Sequence, residues 1–93
     1  MAGQVSGQIT VTTAGTEVQG PNLQINGDVL FKAHPSNTGF VYMGNDGAGA
    51  VSATTGFPMS ATGDTVIRRV NNLQDLWFDA SVNGEKVCYL LLD

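Results

Sequence analysis

The sequence predicts an all-β domain, a small antiparallel β-sandwich of jelly-roll type with about seven short strands. Two observations carry this. Apolar and polar residues alternate with a period of two: Val5, Ile9 and Val11 stand against Gln4, Gln8, Thr10 and Thr12, and Val29, Phe31 and Ala33 stand against Leu30, Lys32 and His34. Turn signals then bound every apolar segment, namely Gly15, Gly20-Pro21-Asn22, Pro35-Ser36-Asn37-Thr38-Gly39, Asn45-Asp46-Gly47-Ala48-Gly49, Thr62-Gly63-Asp64 and Asn83-Gly84. No amphipathic segment is long enough for a helix of several turns.

The strands that follow span residues 4–13, 17–19, 28–33, 39–44, 64–70, 76–81 and 85–92. In the fourth, Val41 and Met43 share one face while Phe40 and Tyr42 share the other. Gly56-Phe57-Pro58-Met59 is expected to insert an aromatic ring into the sandwich edge. The stretch over residues 46–55, rich in Gly, Ala, Ser and Thr, reads as a loop that is mobile or held by a neighbouring molecule. Asn71-Asn72-Leu73-Gln74-Asp75 interrupts the β pattern, and an Asn there can cap a single helical or 3₁₀ turn before Leu76. Trp77 and Phe78 are adjacent on a strand and so face opposite ways, one inward and one toward solvent, a ligand or a partner. Val82-Asn83-Gly84-Glu85 is expected to form a type I′ hairpin joining the last two strands.

A chain of 93 residues supports one cored domain, and we assign residues 1–93 to it, with 1–6 an extended N-terminal arm able to add to a neighbour's sheet. Only 13% of residues are charged, about half the usual share, so little repulsion keeps copies apart. This favours close-packed assembly. The net charge of -4 and the four cations Lys32, Arg68, Arg69 and Lys86 make nucleic acid an unlikely partner. The start of the chain lacks the basic and apolar regions of a signal peptide, and the apolar run from Val87 to Leu92 is far too short to cross a bilayer, so no membrane partner is expected. Cys88 is a lone cysteine inside that run, which fits a small buried hydrophobe folded in a reducing cytoplasm.

Candidate chemistry is sparse. His34, the one histidine, precedes Pro35 at a strand end and reads as a loop or contact residue rather than a catalytic base. One His and one Cys fall short of a zinc site, Asn45-Asp46-Gly47 lacks the ligand series of a calcium loop, and Gly47 and Gly49 precede neither a helix nor a basic residue. Asp64, Asp75, Asp79, Glu85 and Asp93 could supply a carboxylate pair for glycoside hydrolysis, but scattered acids on turns and strand ends are normally solvated surface. The expectation is therefore a protein that is not an enzyme and carries no cofactor or metal.

The final strand is apolar on both faces of the pleat. Either it is covered on both sides, or its outward side, Cys88 with Leu90 and Leu92, packs on another subunit. The second is favoured, because a small antiparallel sandwich covers only one face of each sheet. These three residues are the candidate subunit interface. Val5, Ile9, Tyr42 and Trp77 are candidate contacts with a larger partner or ligand.

The run Lys32-Ala33-His34-Pro35-Ser36-Asn37-Thr38-Gly39-Phe40-Val41-Tyr42-Met43-Gly44-Asn45 resembles small virion proteins of tailed bacteriophages. The resemblance continues in Gly56-Phe57-Pro58-Met59-Ser60-Ala61, Leu73-Gln74-Asp75-Leu76-Trp77-Phe78 and Val11-Thr12-Thr13-Ala14-Gly15-Thr16, and extends from about residue 7 to residue 91. It implies a capsid decoration, or cement, protein on the virion surface, made in the host cytoplasm. Its partners would be the major capsid protein and copies of itself, as a homo-oligomer for which the resemblance implies a trimer about a local threefold axis. A head-fibre or tail-associated module, or a carbohydrate-binding module using Tyr42 or Trp77, is the alternative.

Overall fold

In the computed structural model, residues 6–44, 56–60 and 63–92 are described. Eight strands run β1 Ser6–Val11, β2 Val18–Gln19, β3 Gln24–Ala33, β4 Phe40–Gly44, β5 Phe57–Ser60, β6 Thr65–Asn72, β7 Trp77–Ala80 and β8 Glu85–Leu91, with one 3₁₀ turn at Leu73–Asp75. They form two four-stranded sheets, sheet A in the order β1-β8-β3-β6 and sheet B in the order β2-β7-β4-β5. β1 pairs with β8, β2 with β7, β3 with β6 and β4 with β5, all antiparallel. The chain is thus one long hairpin, bent at β4–β5 and rolled so that its paired arms fall alternately in the two sheets. That is the jelly roll the alternation pattern predicts.

The core fills the space between the sheets. β3 alternates along its whole length, burying Ile25, Gly27, Val29, Phe31 and Ala33 while the residues between them lie outward. β7 and β4 answer from sheet B with Phe78, Ala80, Val41 and Met43. Phe31 and Phe78 meet across the gap in a tilted arrangement, ring centroids 6.3 Å apart. Phe40 and Tyr42 take the opposite face from Val41 and Met43, as the alternation predicts.

Several expectations need correction. β3 begins at Gln24 rather than Asp28, because the ladder with β6 is irregular between Gln24 and Gly27 and Asn26 sits there at φ 54°. Asn tolerates this left-handed conformation, so the strand continues through a bulge. Residues 57–60 form strand β5, and it is Met59 that enters the core, while Phe57 is 54% exposed. The segment from Val82 to Glu85 is not a hairpin, since β7 pairs with β2 and β4 whereas β8 pairs with β1 and β3. Gly84 does adopt a positive φ of 81°, but Asn83 does not, so the type I′ geometry is absent. Instead the segment crosses between sheets, with the Gly84 amide donating to the Val11 carbonyl at 2.8 Å and Asn83 Oδ1 accepting from the Ala14 amide at 2.7 Å. The loop expected over residues 46–55 lies outside the described residues, as does the N-terminal arm apart from Ser6, which pairs with Leu90.

The 3₁₀ turn forms where the Asn pair predicts it. Asn72 is the cap: its Oδ1 accepts from the Gln74 amide at 3.0 Å and from the Leu23 amide at 3.1 Å. Gly20 lies directly on this turn, and a Cβ there would collide with the Leu73 carbonyl oxygen. Close backbone approach, rather than an unusual φ, is what requires glycine here.

The crossing from β3 to β4 is tied to the start of β8. Asn37, buried, donates from Nδ2 to the Lys86 carbonyl at 2.8 Å and accepts at Oδ1 from the Lys86 amide at 2.9 Å, continuing the ladder with a side chain in place of backbone. Glu85, also buried, accepts from the Gly39 amide at 2.7 Å and the Thr38 amide at 3.2 Å. Replacing Asn37 by Ala should lower unfolding free energy by about 2 kcal/mol, since it leaves a buried amide unpaired. Urea unfolding of the variant beside the parent measures this.

Candidate functional site

The register of sheet A sets out its solvent face row by row. Ser6 lies opposite Leu90, Leu90 opposite Leu30, and Leu30 opposite Ile67, so one row across all four strands carries three large aliphatic side chains. Ile67 is 61% exposed, and Leu92, which follows Leu90 on the same side, is exposed as well. The next row is Gln8, Cys88, Lys32 and Thr65. β8 is therefore central within its sheet, with Val87 and Leu91 in the core and Lys86, Cys88 and Leu90 on the outer face. No described element covers that face.

Of the residues singled out from sequence, Cys88, Leu90 and Leu92 thus share one face. Leu30 and Ile67, which sequence reasoning did not select, complete their row. The signal was present, because both are large aliphatics at positions the period-two pattern assigns to solvent. Cys88 is half-buried, and desolvation raises its thiol pKa while nearby Lys32 and Lys86 oppose the rise. The net shift is upward, so the thiol is neutral at physiological pH.

The outer face of sheet B is organised around aromatics. Tyr42 stands opposite Pro58 on one side and Asp79 on the other, and Gly44 stands opposite Trp77. Trp77 is half-buried on this face while Phe78 fills the core. Tyr42 is only 7% exposed and stacks with Phe40, centroids 6.5 Å apart at 22°. The accessible ring is therefore Phe40, at 47% exposure, and not Tyr42. Ile9 needs a stronger correction, for its side chain lies in the core, inward from β1, and cannot contact a partner. Val5 lies outside the described residues.

The carboxylates are engaged locally. Asp79 Oδ1 accepts from the Gly15 amide at 2.9 Å and from its neighbour Ala80 at 2.8 Å, pinning the β1–β2 connection over β7. Glu85 holds the β3–β4 crossing. Asp64 Oδ2 accepts from the Ser60 amide at 2.9 Å and the Ser60 hydroxyl at 3.0 Å, while Asp75 is exposed in the 3₁₀ turn. His34 Nδ1 accepts from the Ser36 amide at 3.0 Å, with the Ser36 hydroxyl 2.8 Å away, which places the neutral ring's proton on Nε2 and makes the pair a turn contact. Among the described residues no group of three or more His, Cys, Asp or Glu is placed to hold a metal ion, and no helix is long and apolar enough to cross a membrane. Asp93 lies outside the described residues.

No protein-family model matches the chain, and none of the curated proteins does. Among solved structures, a cupin superfamily protein from Desulfitobacterium hafniense is similar, at 11% sequence identity and a TM-score of 0.44, over 96% of this chain and 79% of that one. The jelly-roll assignment stands on the strand order of this chain itself.

Because burial holds the Cys88 thiol neutral, its alkylation by iodoacetamide should show a pH midpoint above that of a free cysteine peptide in the same buffer. A rate profile from neutral to alkaline pH measures it.

Proposed function

We propose that the protein is a structural binding module of a tailed-phage virion, decorating the capsid surface and assembling with copies of itself through the outer face of sheet A. The observation that carries this reading is the row Leu90, Leu30 and Ile67 with Leu92 beside it, an apolar patch on a face that no described element covers. The resemblance of most of the chain to small virion proteins and its low surface charge support the same reading. In it the protein is not an enzyme, and its buried carboxylates Asp79 and Glu85 serve as anchors for loops.

The mechanism is mechanical. Copies seated where capsid subunits meet bury surface on several of them, and binding to the assembled shell alone stabilises it by mass action. Three linked copies would act at high effective concentration, so each weak contact gains from the others. The same faces would serve a head-fibre or tail-associated module, and a capsid-binding assay separates these positions.

A second reading, a carbohydrate-binding module, is favoured by one observation: Phe40 is exposed and backed by Tyr42 on the outer face of sheet B, an arrangement on which a sugar ring can stack. Glycan binding that is lost in Phe40→Ala would establish it.

For the first reading, sedimentation should show an oligomer that Ile67→Asp and Leu90→Asp each reduce to monomer with the β circular dichroism spectrum kept. Ile67 is the safer position because its side chain is already largely in solvent. Undecorated capsids mixed with the parent protein should bind it saturably. A monomer at all concentrations that does not sediment with capsids overturns the proposal.

A further inference from the structure

The sandwich is open along the side where β5 and β6 are the outermost strands of their sheets. A cleft of about 230 Å³ lies there, lined by Met43, Gly44, Phe57, Val66, Arg68 and Leu76. Small-molecule sites occupy roughly 300–1,000 Å³, so this cleft has room for one or two side chains rather than a whole cofactor-sized ligand. Its walls are apolar apart from Arg68. That residue stands opposite Val29, whose side chain is in the core, so the register sets Arg68 on the inward side of β6 between Val66 and Val70.

The charge here is concentrated. Arg68 and Arg69 are two of only four cations in a chain of net charge -4, and they lie side by side on one edge. Neither has a hydrogen-bonded or ion-paired partner among the described residues. A second, polar cleft continues from Arg68 past Arg69, Asn71 and Asp75, and Asp28 stands opposite Arg69 across the ladder, so of the two arginines Arg68 is the one with no acid opposite it in β3. β6 itself spans eight residues, pairs with β3 on one side and with no described strand on the other. Its outer edge therefore offers backbone donors and acceptors in the geometry of a sheet.

We propose that β6 accepts by antiparallel strand addition an extended segment of another protein in which two acidic residues are followed by two apolar ones. Directly opposed side chains on paired strands share a face and interact most strongly, so the register of β6 specifies the order. The ligand residues opposite Arg69 and Arg68 are acidic, each meeting a guanidinium that makes no hydrogen bond or ion pair with a described residue. Those opposite Ile67 and Val66 are apolar, the first resting on the exposed Ile67 side chain and the second entering the cleft between Phe57 and Leu76. Main-chain hydrogen bonds along the edge supply affinity, and the two arginines with the cleft supply specificity. This inference is distinct from the capsid reading, since of the residues it uses only Ile67 and Arg69 lie on the outer face of sheet A, while Arg68, Val66 and the cleft lie on the inward side of β6.

The test uses the full chain, isotope-labelled, titrated with the capped peptide acetyl-Thr-Glu-Glu-Val-Leu-Thr-amide and followed by amide chemical shifts. Saturable shifts at residues 65–72 together with Met43, Phe57 and Leu76 are expected. Arg68→Glu should weaken binding about tenfold or more, as loss of a charge-assisted contact does. The same peptide with Lys for both Glu residues should bind the parent more weakly and the Arg68→Glu variant more tightly. Arg68→Gln, which adds no charge to the edge, gives a milder loss and guards against a folding defect. No saturable shift at millimolar peptide, equal binding of the Glu and Lys peptides, or shifts confined to the row of Leu90 and Leu30 would each overturn the proposal.

Discussion

Sheet A depends on β8 lying between β1 and β3. Its backbone is paired along both edges, and its inward side chains, Val87 and Leu91, stand in the middle of the core beside Val29 and Phe31. A strand in that place must be apolar inside, and its neighbours must be cut from distant parts of the chain. Both crossings that reach sheet B near it are held by polar groups rather than by packing. Asn37 and Glu85 fix the exit from β3, and the Val11 carbonyl with Asn83 fixes the exit from β7. Glu85 is a buried charge, which is tolerated because two backbone amides donate to it. The Phe31–Phe78 contact then joins the sheets through their centres.

This arrangement divides the surface into parts with different chemistry. The outer face of sheet A carries one aliphatic row among polar ones, that of sheet B carries an aromatic stack and a covered acid, and the β5–β6 side joins an apolar cleft to two arginines. All three are surfaces on which another molecule can rest. Asp79, Glu85, Asp64 and His34 each accept hydrogen bonds from nearby amides or hydroxyls, which ties them to the local backbone.

Much of the fold was legible from local pattern. β3 and β4 declared their inner and outer faces by alternation, and the Asn72 cap announced the single 3₁₀ turn. What failed were inferences needing knowledge of partners far along the chain. Asn83-Gly84 looks like a hairpin turn, but this jelly roll sends β7 and β8 to opposite sheets, so tertiary topology overrode the dipeptide. Phe57-Pro58-Met59-Ser60 was not recognised as a strand because Pro and a short length mask the pattern, and Pro is tolerated there only because β5 is an edge strand. For the candidate site, the apolar outward side of β8 was legible, whereas its extension through Leu30 and Ile67 required the register. Ile9 was misplaced although its alternation with Gln8 and Thr10 put it on the apolar side of β1, which is the side that packs into the core. The inward position of Arg68 was hidden because a charged side chain stands where the side shared with Val66 and Val70 would otherwise be apolar.

The rolled hairpin also governs the order of events during synthesis. The central strand of sheet A is the last of the eight to be made, so β1 and β3 have no strand between them while the rest of the domain emerges. Loop closure between β1 and β8 spans nearly the whole domain and its entropy must be met before the contacts it brings are gained. Until β8 is in place, the edges of β1 and β3 that it pairs with stay open. Closure of sheet A therefore waits on β8, the last of the eight described strands in chain order.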